Sequence, residues 1–319
     1  MKRIAVLTSG GDAPGMNAAI RAVVRKGLHL EREVIGFRRG YAGLVADDAI
    51  MLNAGSVADI IHRGGTFLRT ARSDEFLTSA GFAKALSSLK RHAVDGLIVI
   101  GGDGSFRGAQ KLFENGILTV GIPGTIDNDI PGTDECIGFD TAVNTAVEAI
   151  DKIRDTATSH ERIFIIEVMG RASGHIALAA GLAGGAESIL IPEKPIDLDE
   201  ICLRLKRGAN RGKLHSIIVV CEGAGSAYSV GDYISTHTEF ETRVTVLGHV
   251  QRGGAPTVRD RLLASKMGSA AVDALVSGIG GVIIGIKKGQ LITVGITAAL
   301  NEATDFDFET YYLASVLAK

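Results

Sequence analysis

Short β-branched runs alternate along this chain with stretches whose apolar residues recur at helical spacing. Ile4–Leu7, Val34–Phe37, Leu97–Ile100, Leu118–Ile122, Ile163–Val168, Ile189–Ile191, Ile217–Val220, Val244–Leu247 and Val282–Ile286 are apolar runs bounded by polar or turn residues. Such runs predict strands buried on both faces. The plainest helical period covers Asp140–Arg154, where Val143, Ala146, Val147, Ile150 and Ile153 form one apolar stripe and the charges face away. Strands alternating with helices predict an α/β fold of mainly parallel sheets, with helices on both faces. The strands are too many for one small sheet, and no Pro-rich or low-complexity linker separates them. Two closely packed lobes are therefore expected.

Composition narrows the classes of partner. At 319 residues and 46% apolar content the chain can bury a sizeable core. Lys+Arg 34 against Asp+Glu 36 leaves a formal charge of −2, so no broad basic field invites nucleic acid or an anionic membrane. Any anion site has to be local. Cys136, Cys202 and Cys221 are odd in number, lack CxxC spacing and lie in or beside apolar segments, the usage expected of free buried thiols in a reduced, cytoplasmic setting. Met1-Lys2-Arg3 has the charge of a signal-peptide start, yet the apolar run behind it is too short for one. No run has the length of a membrane span, and a soluble protein is expected.

The chemistry gathers where strands end. Gly101-Gly102-Asp103-Gly104-Ser105 follows the run Leu97–Ile100. Bare glycine N–H groups before a helix suit a phosphate, and Asp103 could hold Mg²⁺ beside it; a tight turn capped by Asp103 is the plain alternative. The next exit, Pro123-Gly124-Thr125-Ile126-Asp127-Asn128-Asp129, carries two more carboxylates. If the segment is extended, Asp127 and Asp129 point to one side with Ile126 inward, one acid serving as base and the other near a metal. A solvated acidic turn is the alternative there. Thr8-Ser9-Gly10-Gly11-Asp12 is a third such exit, without the Walker lysine, so arginines such as Arg72 would meet phosphate charge. In the second half Met169-Gly170-Arg171, Cys221-Glu222-Gly223 and Gly248-His249-Val250-Gln251-Arg252 end strands, and together with Arg162 and Arg243 they suggest a phosphorylated polyol site. Singly, each arginine reads as a surface ion-pair former and His249 as a structural histidine.

Taken in order, LTSGGDAPGMNAAIRA, GGDGS, PGTIDNDI, MGRASGH and VLGHVQRGG resemble the bacterial ATP-dependent 6-phosphofructokinases, almost from end to end and nearest to the allosteric, homotetrameric group. The resemblance implies two Rossmann-like three-layer αβα lobes: residues 1–138 plus 251–301 for ATP, and 139–250 plus 302–319 for fructose 6-phosphate. It implies ATP contacts at Gly11, Tyr41, Arg72, Ser73, Gly102, Gly104, Ser105 and Gly108, and Mg²⁺ at Asp103 with Asp129 close by. Fructose 6-phosphate would meet Thr125, Ile126, Asp127, Met169, Gly170, Arg171, Glu222, His249, Val250, Gln251 and Arg252, with Arg162 and Arg243 reaching across a subunit interface. Asp127 would be the base, with Thr125, Arg72 and Arg171 also catalytic. An effector site for ADP (activator) or phosphoenolpyruvate (inhibitor) would use Arg21, Arg25, Asp59, Arg154, Gly185, Glu187, Arg211, Lys213 and His215. The implied reaction is the glycolytic transfer of the ATP γ-phosphoryl group to the 1-hydroxyl, giving fructose 1,6-bisphosphate and ADP. A catalytically weakened nucleotide-binding protein on the same scaffold, and a pyrophosphate-dependent relative, are the rival readings. Relatives of the second kind carry Asp and Lys where this chain has Gly104 and Gly124.

Overall fold

The computed structural model describes residues 1–302 and 305–318; Ala303, Thr304 and Lys319, part of the 302–319 stretch expected in the second lobe, lie outside them. The strands are β1 Arg3–Thr8, β2 Glu33–Phe37, β3 Ala49–Leu52, β4 Gly96–Gly101, β5 Leu118–Pro123, β6 Ile163–Val168, β7 Ser188–Leu190, β8 Ser216–Cys221, β9 Thr242–Val246, β10 Val282–Lys287 and β11 Gln290–Gly295. The helices are α1 Met16–His29, α2 Gly40–Val45, α3 Asp74–Leu77, α4 Ser79–Arg91, α5 Asp103–Glu114, α6 Phe139–His160, α7 His175–Ala183, α8 Leu198–Ala209, α9 Ala227–His237, α10 Val258–Val276, α11 Ile296–Asn301 and α12 Phe308–Leu317. Among the described residues no helix is long and apolar enough to cross a membrane.

Two compact units divide the chain. Met1–Thr141 with Arg252–Thr304 forms one, and Ala142–Gln251 with Asp305–Lys319 the other. In the first, a seven-stranded sheet runs β11-β10-β5-β4-β1-β2-β3. Its centre is parallel, and each edge strand, β3 and β11, pairs antiparallel. Neither edge strand was legible as a buried run, because each is half wet: Met51 is 57% and Leu291 38% exposed. The strand order reverses between β1 and β4, the place where open α/β sheets bind ligands beyond their carboxyl ends. One face of this sheet is closed by a core of Leu7, Phe37, Tyr41, Leu44, Phe106 and neighbours. The second unit holds a four-stranded parallel sheet, β7-β8-β6-β9. β9 starts ahead of its apolar run because the Ile163 N–H already bonds the Glu241 carbonyl at 3.0 Å.

The chain leaves the first unit inside α6 rather than at its start, and Asp260 is the reason. This residue, 1% exposed near the start of α10, accepts from Gly138 N–H at 2.8 Å, Thr141 N–H at 2.9 Å and the Thr141 hydroxyl at 2.5 Å. The first turn of α6 is thereby tied to α10. Asp260→Ala strands those buried donors and is expected to cost roughly 3 kcal/mol in urea unfolding. Burial raises the Asp260 carboxyl above its ordinary value in spite of these bonds. The folded chain therefore keeps that proton to higher pH than the unfolded chain, and this site's contribution to stability falls as pH rises from about 4 through the raised value. Asp260→Asn lacks the ionisation, so the stability of the parent relative to this variant is expected to decline as pH rises through that interval.

Candidate active site

The exits of β1, β4 and β5 are stitched together by backbone. Ser9 N–H bonds the Ile100 carbonyl at 3.0 Å and Gly124 N–H the Gly101 carbonyl at 3.0 Å. Gly102 leads directly into α5, whose first turn holds Asp103, Gly104 and Ser105. Asp103 Oδ1 accepts from Gly104 N–H at 2.6 Å, and the carboxylate stays half exposed. The acid thus bonds the neighbouring N–H and still faces water, while Gly102, rather than a side chain, caps α5. Tyr41 packs against Gly108, where a Cβ would come within 2.6 Å of its ring, and its hydroxyl donates to the Ser105 carbonyl at 2.5 Å. Burial raises the Tyr41 phenol, which stays protonated. Arg72 is exposed, whereas the Ser73 hydroxyl accepts from Phe76 N–H at 3.3 Å as the cap of α3.

The segment after β5 departs from the extended reading. Ile126 and Asp127 sit in a turn, and Asn128 is left-handed with φ 51°. Asn128 pays for that conformation with two bonds, accepting from Cys136 N–H at 2.7 Å and donating to the Asp134 carbonyl at 3.1 Å. Ile126 is 0% exposed and belongs to the core, so its side chain makes no ligand contact here. Asp127 and Asp129 are nevertheless brought together, through Thr125: its hydroxyl accepts from Asp127 N–H at 3.2 Å and lies 3.5 Å from Asp129 Oδ1. Asp127 is 1% exposed, so the solvated-turn alternative does not hold for it. Arg252 completes this group. Its guanidinium crosses Gly11, donates to the Asp12 carbonyl at 3.3 Å and stands 4.0 Å from Asp127 Oδ2.

In the second unit β6, β8 and β9 present their exits together. Gly170 has φ 142° and Arg171 φ 51°, a strained turn that only a fixed partner sustains. That partner is Glu222, whose Oε1 accepts from Gly170 N–H at 3.3 Å and Arg171 N–H at 2.9 Å. Two successive N–H groups wrapping one oxygen make an anion nest. One oxygen of Glu222, expected near fructose 6-phosphate, thus serves the backbone. Gln251, 0% exposed, accepts from Met169 N–H at 2.9 Å and fixes the same loop from below. Its side chain is a support rather than a surface. His249 and Val250 are exposed in a 3₁₀ turn, Gly248–Arg252. Burial pushes the Cys221 thiol up to about 11, so it is inert beside this loop.

The residues matched to an effector site fall into two sets. Arg154, Gly185, Glu187 and Lys213 converge in the second unit: Arg154 donates to the Gly184 and Gly185 carbonyls, and Lys213 Nζ lies 2.6 Å from Glu187 Oε1. Glu187 Oε2 accepts from Ile217 N–H at 2.6 Å. Arg211 and His215 flank Lys213 on one loop. Arg21 and Arg25 share a face of α1, and Asp59, left-handed with φ 54°, is exposed; these three belong to the first unit. Sequence reading passed over Glu241, which pairs with both Arg162 and Arg243. Opposite charges two apart, Glu241 and Arg243, at the start of an apolar run were the available signal.

Gly11 offers a direct probe of the Arg252 placement. A Cβ there would lie 2.7 Å from Arg252 Nη1, the far end of a flexible side chain. Gly11→Ala is expected to swing the guanidinium off Asp127 with a stability loss under about 1 kcal/mol, within the range of ordinary surface changes. Turnover is expected to fall roughly tenfold or more, since removing one charge-assisted contact is worth about 1.5–3 kcal/mol. Steady-state kinetics beside a thermal melt separates the two effects.

The phosphofructokinase family model matches residues 3–275. The ATP-dependent 6-phosphofructokinase of Bacillus cytotoxicus is 59% identical over 318 residues, covering 100% of each chain. The solved phosphofructokinase of Saccharomyces cerevisiae superposes with TM-score 0.89 at 36% identity over 99% of this chain, which spans 47% of the yeast chain. A pyrophosphate-dependent phosphofructokinase from Marinobacter aquaeolei shares the fold, with TM-score 0.86 at 23% identity. The chain belongs to the phosphofructokinase family.

Proposed function

We propose that this chain transfers the γ-phosphoryl group of ATP to the 1-hydroxyl of fructose 6-phosphate, giving fructose 1,6-bisphosphate and ADP. The observation that supports this reading is the full-length 59% identity to an enzyme of that name. The first unit binds the nucleotide: Gly11, Gly102, Gly104 and Ser105 supply the close backbone approach, Tyr41 and Gly108 shape the start of α5, and Arg72 and Ser73 border it. Asp127 accepts the hydroxyl proton, and Thr125 holds its turn. Arg72 and Arg171 offset charge on the transferring group, since phosphoryl transfer is mainly positioning and electrostatics. The second unit binds the sugar phosphate through Met169, Gly170, Arg171, Glu222 and His249, with Arg252 beside the base.

Asp103 and Asp129 suit Mg²⁺, which is commonly held by one or two carboxylates together with substrate phosphates. Among the described residues no group of three or more His, Cys, Asp or Glu forms an all-protein cage, which fits that mode. Bound with ATP, Mg²⁺ would offset charge on the β- and γ-phosphate oxygens. The working unit is a homotetramer in a cytoplasmic setting, and Arg162 and Arg243 take the sugar phosphate of a neighbouring subunit. Arg243 is exposed on β9, an edge strand, Arg162 lies just ahead of its neighbour β6, and three thiols are buried and free, all of which agree with this. ADP and phosphoenolpyruvate act at the Arg154–Glu187–Lys213 cluster with Arg21, Arg25 and Asp59, biasing two quaternary states by differential affinity.

Donor choice rests on two glycines. Nothing lies within 4 Å of a Cβ placed on Gly104, which leaves room for an α-phosphate, whereas a Cβ on Gly124 meets Ile100 and Met16 at 3.2 Å. Assay with fructose 6-phosphate and Mg²⁺ is expected to give rapid turnover with ATP and little with pyrophosphate; equal rates would overturn the reading. Gly104→Asp places a carboxylate near that phosphate, worth about 1–4 kcal/mol of repulsion at ~4 Å, and is expected to lower kcat/KM for ATP by about tenfold to a thousandfold. For the effector site, fructose 6-phosphate saturation is expected to shift left with ADP and right with phosphoenolpyruvate in the parent, and to lose both responses in Arg154→Ala. An Arg154→Ala variant that responds as the parent does removes this site from the account.

A further inference from the structure

Arg162, Glu241 and Arg243 form a three-charge cluster where β6 and β9 begin to pair. The parallel register Ile163↔Thr242 sets Arg162 beside Glu241, and Glu241 and Arg243, two apart on extended chain, project to one side. One carboxylate serves both cations. Arg162 Nε donates to Glu241 Oε2 at 2.8 Å, and Arg243 Nη2 donates to Oε1. Arg243 Nη1 also donates to the Thr242 carbonyl at 3.0 Å. The three side chains are 27%, 47% and 49% exposed in the order Arg162, Glu241, Arg243, so the cluster faces solvent and closes no core. Surface pairs of this kind add little stability, which leaves its geometry to be explained.

We infer that Glu241 is a positioning residue for phosphorylated substrate: it holds the Arg162 and Arg243 guanidiniums side by side and leaves donor edges of both turned outward for a phosphoryl group. The inference rests on the reading that these two arginines take the sugar phosphate. A guanidinium has five N–H donors in a planar fork, and using one edge on a carboxylate leaves others for a second anion. Without Glu241, two like charges repel and two long side chains must be ordered when the ligand arrives. Against this, the carboxylate itself repels a phosphate. The first effect wins at an exposed site: the high dielectric of water weakens the carboxylate–phosphate repulsion, while ordering two rotamer-rich side chains is worth roughly a factor of ten in affinity. The Arg162 hydrogen bond holds the Glu241 carboxyl below its ordinary value, so the clamp is charged near neutral pH.

The test is a set of KM measurements on the intact enzyme. Glu241→Ala is expected to raise KM for fructose 6-phosphate about tenfold, while kcat, KM for ATP and the melting temperature stay near the parent's. In an Arg162→Ala/Arg243→Ala background the same substitution is expected to have almost no effect, because nothing remains to position. A KM that is unchanged or lowered by Glu241→Ala overturns the inference, as does an effect that persists undiminished without the arginines. Glu241→Gln, nearly the same shape, decides the matter by the same criteria if the alanine variant fails to fold. If Arg162→Ala and Arg243→Ala themselves leave KM unaltered, the assignment of those arginines fails, and this inference fails with it.

Discussion

A carboxylate at 1% exposure has to be held, because an ionised group taken out of water costs several kcal/mol unless its surroundings compensate. Asp127 is such a group, and the turn after β5 keeps it in place. The β5 exit is pinned to β4 by Gly124, Thr125 takes the Asp127 N–H, Asn128 locks the following turn, and Arg252 brings a positive charge to within 4.0 Å. Asp129 and Asp127 also press on Cys136, whose thiol is raised chiefly by its own burial and further by those two charges. The turn therefore brings two carboxylates to one strand end. A phosphoryl-transfer site gains from that arrangement when the charge is used to accept a proton or to hold a cation.

A carboxylate holds neighbouring groups in the second unit as well. Glu222 anchors the left-handed Arg171, Glu241 bridges Arg162 and Arg243, and Glu187 gathers Lys213 with Arg154 4.0 Å away. Each acid fixes the geometry of groups read as anion binders. Protein carboxylates near an anion site are usually counted as repulsive, yet one that bonds a donor also limits the freedom that an arriving ligand would have to remove.

Much of this was legible in the sequence because glycine and β-branched runs carry local meaning. The buried central strands, the helix over Asp140–Arg154 and the location of chemistry at strand exits follow from pattern alone. What was not legible depends on partners distant in sequence. Asn128 turns the TIDND segment because Cys136 and Asp134 receive its side chain, and that converts an expected extended run into a turn. Ser73 is drawn to a helix cap, Gln251 to a buried backbone N–H, and Glu222 to the loop after β6. The edge strands β3 and β11 escaped because half-wet strands show neither a continuous apolar run nor strict alternation. The side chains' attachments in the fold were thus set by tertiary context rather than by local pattern.

The central claim is that Asp127 acts on the chemical step. Rapid-quench single turnover with saturating ATP, fructose 6-phosphate and Mg²⁺ measures that step apart from binding and product release. Asp127→Asn is expected to bind both substrates with near-parent affinity and to slow phosphoryl transfer by about 10²–10⁴-fold, the range of a positioned general base. A variant that transfers the phosphoryl group at the parent's rate under those conditions would contradict the account.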